Sequence, residues 1–209
     1  MVILILAGVS VKNLGRSLVF IILASIWAGI SRVNWFPVPA MLAIAIYILE
    51  TPIAAGDGGL SVVKRWKYWF TPFVWGVSGL AAALISQFVY IQISGNADVS
   101  AFGSSFTSEL IWSRLLPNET FSMGILPGGV LVSMPLFAAL YQIARNSPRL
   151  VGEGLGERVA SIHSLRWLAL ISMLAVLFVG GVVVSTKIGG GGDLHNMDAY
   201  LVMRSVLAI

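Results

Sequence analysis

One segment of this 209-residue chain gathers residue types that could do chemistry: Lys187-Ile188-Gly189-Gly190-Gly191-Gly192-Asp193-Leu194-His195-Asn196-Met197-Asp198. Four consecutive glycines let successive backbone N–H groups turn toward one point, which is how a chain builds a nest for an anion. Lys187 adds a cation, His195 and Asn196 add donors, and Asp193 and Asp198 add acceptors. The set suits recognition of a phosphate and a sugar. The competing reading is a flexible connector between two helices, for which glycine is equally suited. A plain connector rarely surrounds its glycines with Lys, His, Asn and two Asp, and that favours binding.

Elsewhere the sequence excludes more chemistry than it offers. The absence of cysteine removes disulfides, thiolate metal sites and cysteine nucleophiles. Gly152-Glu153-Gly154-Leu155-Gly156 follows no strand and lacks the dinucleotide spacing, and no Walker loop, zinc-protease helix or nucleophile elbow occurs. No metal or other cofactor is indicated, and no nucleic-acid partner is expected. His163, in a basic segment, reads as structural. Glu50 reads as a helix-end group reaching the interface, in preference to a proton relay. Gln87 reads as glue between helices, and Gly79 with Ala83 as a small-xxx-small contact.

The elements that must position the glycine segment are membrane helices. The chain is 57% hydrophobic and 11% charged, with a mean hydropathy of +0.90. Soluble domains sit near 45–50% apolar and about 25% charged. Too few charged groups exist here to cover a water-facing surface, and disorder requires the opposite composition. The expected fold class is an all-α polytopic transmembrane helix bundle, with residues 1–209 forming a single membrane region. Crossing about 30 Å of hydrocarbon takes roughly 20 mainly apolar residues. Tyr68–Ile93, Phe121–Ala144 and Leu165–Thr186 are each long enough alone. Leu14–Val33 and Phe36–Ala55, joined through Asn34-Trp35, have shorter apolar cores, and the total is about five full passes. Val2–Val11 and Tyr200–Ile209 are partial helices at the two ends.

No basic stretch precedes Val2–Val11, so it reads as part of a membrane helix and not as a cleaved signal. An apolar helix stopping at Ile209 would leave a carboxylate in hydrocarbon. The expectation is therefore a fragment of a longer membrane protein; the alternative is an interfacial helix with Arg204 snorkelling to water.

Counting cations orients the passes. With Lys12 and Arg16 in the cytoplasm, strict alternation puts Lys64, Arg65, Lys67, Arg145, Arg149, Arg158 and Arg166 there as well. Only Arg32, Arg114 and Lys187 fall on the far side, a clear positive-inside bias. Trp66, Tyr68 and Trp69 make an aromatic anchor beside the basic segment. Pro37, Pro39 and Pro72 are expected in first helical turns, while Pro127 and Pro135 should fall inside a pass and kink it. Apolar residues at 106, 110, 111 and 115 predict an interfacial helix ended by Pro117. The triplet Asn118-Glu119-Thr120 fits a glycosylation acceptor by pattern alone.

The loop Lys187–Asn196, entered from one pass and left by another, resembles a loop of multi-spanning bacterial glycosyltransferases of the GT-C type, which use lipid-linked sugars. Ser31-Arg32-Val33-Asn34-Trp35-Phe36-Pro37-Val38-Pro39 looks like the short turns between their central helices. The resemblance is specific over ten to twenty residues only and rests elsewhere on hydropathy. It implies an inner-membrane enzyme that transfers a sugar from a polyprenyl-phosphate carrier on the non-cytoplasmic face. In such enzymes the acting carboxylate lies near the first external loop, which would precede Met1, so no catalytic residue carries over. Lys187 and the amides of Gly189, Gly190, Gly191 and Gly192 would then neutralise phosphate, His195 and Asn196 would hydrogen-bond hydroxyls, and Asp193 would orient His195 or a sugar. A transporter or channel segment, or a non-catalytic membrane scaffold, are the alternative classes.

Overall fold

The computed structural model describes residues 1–51, 62–95, 113, 115–119, 122–146, 164–185 and 193–207. Among them are seven α-helices: α1 (Val2–Gly8), α2 (Leu14–Ser31), α3 (Val38–Glu50), α4 (Val62–Ser94), α5 (Ile125–Asn146), α6 (Ser164–Ser185) and α7 (Asp198–Leu207). The chain divides into two compact units, Met1–Asp98 and Val99–Ile209. Four segments are long and apolar enough to cross a membrane: Leu14–Ser31, Val33–Glu50, Trp66–Ser94 and Leu165–Ser185. They match four of the five expected passes. The fifth, Phe121–Ala144, coincides with α5, whose described apolar stretch is the shorter Ile125–Leu136.

In the first unit the caps explain the boundaries. Asn13 caps α2, its side chain accepting from the Arg16 amide at 3.0 Å. Fully buried Ser17 closes the α1–α2 junction: its hydroxyl accepts from the Ser10 amide at 2.8 Å and shares its one proton between the Ser10 and Asn13 carbonyls, 2.8 and 3.0 Å away. Ser17 thereby gives the Ser10 amide and the Ser10 and Asn13 carbonyls a local side-chain partner. A single 3₁₀ turn, Val33–Trp35, joins α2 to α3, and Pro37 and Pro39 sit at the start of α3 as the sequence suggests. Of the crossing segments, Val33–Glu50 is the most enclosed, with 56% of its window buried against 17% for Trp66–Ser94. α3 thus lies at the centre of this unit, and α4 turns most of its surface outward.

Two proline expectations are corrected. α4 begins at Val62, so Pro72 lies inside the helix and not in its first turn. The basic residues Lys64 to Lys67 continue the helix because its backbone bonds are internal and tolerate a polar end. Conversely, α5 begins at Ile125, which puts Pro127 in the first turn and leaves Pro135 as the interior proline. The aromatic anchor is also redistributed. Trp66 is 73% exposed, whereas half-buried Tyr68 turns inward, its hydroxyl donating to the Thr51 carbonyl at 3.2 Å.

α2 and α4 make the most extensive helix contact in this unit. Gly79 lies where an added Cβ would fall 2.8 Å from Ala40 Cβ and 3.1 Å from both Ile21 Cγ2 and Ser25 Oγ. Gly29 is closed in by the Ala83 carbonyl and the Ser86 hydroxyl, and Ser86 Oγ reaches the Ile26 carbonyl at 3.2 Å. The helices are therefore parallel, with residues 21–25 beside 79 and residue 29 beside 83–86. Small residues bring two backbones this close where lipid supplies no hydrophobic drive. The outer faces are apolar: Val19, Leu23 and Trp27 on α2, Phe70, Phe73 and Val77 on α4, and Leu168, Ile171 and Val179 on α6 are all exposed. Such faces imply lipid contact.

Candidate functional site

The glycine segment belongs to the second unit. Lys187, Gly189, Gly190, Gly191 and Gly192 lie outside the described residues, as do most of the expected interfacial helix and the segment containing His163. Immediately beyond the glycines, Asp193–Met197 forms a 3₁₀ turn that runs directly into α7. Asp193, His195 and Asn196 are therefore held on one short turn and not spread along an extended connector.

That turn is seated on α6. Met197 is 2% exposed and shares a core with Ile125 and Val182, against which Leu115, Phe178, Leu194, Tyr200 and Leu201 pack. The Phe178 and Tyr200 rings meet edge to face at 5.4 Å, pinning the start of α7 to α6. Gly181 makes the close approach possible, because a Cβ there would lie 2.6 Å from Met197 Sδ and 3.0 Å from the Asn196 carbonyl oxygen. The thioether can move; the backbone oxygen cannot without shifting the turn. Gly181→Ala is therefore expected to destabilise the protein by about 1–2 kcal/mol, the lower part of the range for an overpacked core. Comparing SDS-denaturation midpoints in mixed micelles checks this, with Gly180→Ala, which meets nothing within 4 Å, as the control.

Four polar residues are buried in these packed elements: Arg166 near the start and Ser185 at the end of α6, Asn196 in the turn and Arg204 in α7, with Arg166, Asn196 and Arg204 being 5%, 2% and 9% exposed. Asn196 is thus a buried member of the candidate set and not a surface donor. Arg204, which the alternative reading of the last helix had snorkelling to water, turns into the unit with its guanidinium carbon 5.8 Å from the Tyr200 ring centroid. The four-residue interval between Tyr200 and Arg204 was the available signal, since it stacks the two on one helix face. A buried arginine is costly in an apolar setting and needs partners there.

Among the described residues no three of His, Asp and Glu converge as a metal site. Glu50 is exposed at the end of α3, and Asn118 folds its side-chain amide onto the Leu116 carbonyl at 2.9 Å. Gly124, at φ +76°, caps the start of α5 and is pressed against the Leu116–Pro117 backbone, so this short turn is closed by a contact only glycine permits. Comparison with known proteins finds no matching family model, no matching curated protein and no matching solved structure.

Proposed function

We propose that this chain is part of an integral membrane glycosyltransferase of about five passes that transfers a sugar from a polyprenyl-phosphate carrier on the non-cytoplasmic face. The observation that carries the reading is a seated turn bearing Asp193, His195 and Asn196, directly after the Gly189–Gly192 run in the sequence and followed by a helix that buries the cation Arg204. Glycine amides and Lys187 supply the charge complement for phosphate. Asp193 and His195 supply the acceptors and donors that sugar hydroxyls require, while buried Asn196 belongs to the packing of the turn that carries them. Four membrane-crossing segments support the setting. The side on which the glycine run emerges depends on α5 crossing as the fifth pass.

The test uses full-length protein in membranes given radiolabelled polyprenyl-phosphate mannose and, separately, polyprenyl-phosphate arabinose. Lys187→Ala, Asp193→Asn and His195→Ala should each lower transfer by about 10- to 100-fold, the 1.5–3 kcal/mol of a hydrogen bond to a charged group. Wild-type transfer in all three variants overturns the reading. The absence of cysteine makes topology directly measurable: a single cysteine replacing Gly190, within the glycine run itself, should react with an impermeant maleimide from outside, and one replacing Ser147 should not.

A further inference from the structure

The first unit carries a feature that the glycine segment does not use: a groove of about 400 Å³ between the C-terminal halves of α2 and α4. We propose that this groove seats one acyl tail of a bilayer phospholipid, with the phosphate end of that lipid toward Arg32. Its walls are Ile26 and Ile30 from α2 and Ile85, Val89 and Ile93 from α4. All five are β-branched, and in a helix such side chains hold essentially one χ1 setting. The walls are therefore set before anything enters, and seating a chain costs little ordering of the protein.

The floor, formed by half-buried Ala82 and Ser86, offers no polar group to an occupant. Ser86 Oγ is engaged internally, lying 2.9 Å from the Ala83 carbonyl oxygen and 3.2 Å from that of Ile26. The close approach at Gly29 and Ala83 that creates this floor also keeps the two helices from parting. What fits is a flexible hydrocarbon, and both walls belong to crossing segments whose outer faces contact lipid, so the groove is continuous with that lipid surface.

Charge fixes the kind of hydrocarbon. Arg32 is exposed immediately beyond the last turn of α2, two residues past Ile30, and parallel α4 ends in the same leaflet. Half-exposed Tyr90 adds an amphipathic ring to the lining on the α4 side. A cation beyond an apolar groove matches a lipid whose phosphate lies at the interface and whose tail descends between the helices.

The experiment places the full chain in nanodiscs of phosphatidylcholine and phosphatidylglycerol, with a trace of phospholipid carrying a diazirine midway along one tail. After photolysis, adducts on aliphatic side chains are mapped by mass spectrometry. The stripe around Val77, comparably exposed on α4 at 53%, reports ordinary annular lipid. Groove positions Ile30, Ile85 and Val89 should carry about tenfold more label than Val77, a preference equivalent to about 1.4 kcal/mol. Ala82→Phe, which fills the floor, should remove the excess while leaving Val77 labelling intact, and Arg32→Gln should reduce it. Equal labelling of groove and stripe in the wild-type protein means annular lipid only and overturns the proposal. Copy-to-copy crosslinks through single cysteines at 85 and 89, with little lipid label there, would assign the groove to a second copy instead.

Discussion

Gly29→Leu should force α2 and α4 apart and cost at least about 3 kcal/mol, the upper end of what overpacking a core produces. The first carbon added at Gly29 already collides with the Ala83 carbonyl oxygen, and backbone atoms cannot swing aside as a side-chain tip can. Three more carbons would have to occupy space held by α4. Relief comes only by separating the helices, which also breaks the reach of Ser86 to the Ile26 carbonyl. The measurement is the SDS-denaturation midpoint followed by circular dichroism in mixed micelles. Leu23→Ala is the comparison: Leu23 is 52% exposed on the same helix, and such surface changes stay within about 0.5 kcal/mol. A Gly29→Leu protein as stable as wild type would show that the α2–α4 contact is not the one described.

Trp75→Ala is expected to cost about 3 kcal/mol, the lower end of the range for deleting a buried tryptophan. Trp75 is 2% exposed and meets Tyr47 edge to face at 5.8 Å. Tyr47 in turn packs on Tyr68 at 5.4 Å, and Tyr68 on Trp69 at 5.1 Å, so a chain of rings joins the end of α3 to the first half of α4. The lower end applies because a membrane core gains little from excluding water; the cost lies in the cavity and the lost dispersion contacts. Trp66→Ala removes an equally large ring that is 73% exposed and should change stability by less than about 0.5 kcal/mol. Equal effects of the two substitutions would contradict the assignment of Trp75 to the core.

The long helices were legible because apolar composition at membrane length has few other outcomes, and α2, α3, α4 and α6 fall within a few residues of the runs that announced them. The Gly79–Ala83 pair was legible as a contact but not its partner, because Gly29 becomes a neighbour only through the fold. Boundaries failed where polarity and helicity part company. Lys64 to Lys67 fell outside the expected pass because they are charged, yet a helix keeps its backbone satisfied past the edge of the apolar run, and Pro72 thereby became interior. Pro127 failed in the opposite sense, since Phe121–Gly124 is apolar enough to extend a run while φ +76° at Gly124 ends any helix there. At the candidate site, residue types suggested anion and sugar recognition, but they could not show that Asn196 is buried or that Arg204 turns inward. Those depend on how α7 folds back onto α6, which Gly181 permits and periodicity does not record.

The unequal lengths of the helices in the first unit have a mechanical consequence. At 1.5 Å per residue α2 is about 27 Å long and α4 about 50 Å, against about 30 Å of hydrocarbon. Locked to α2 by the Gly29–Ala83 contact, α4 cannot lie down steeply to absorb the difference without dragging its short neighbour out of register with the bilayer. The Gly29–Ala83 register divides the excess between the two ends of α4, so its amino-terminal turns run about two turns past the start of α2 as a post that includes Lys64, Arg65 and Lys67. A change in bilayer thickness is then transmitted to that post as a rise or fall, through a helix that carries Pro72 between the post and the locked contact as a point where it can bend.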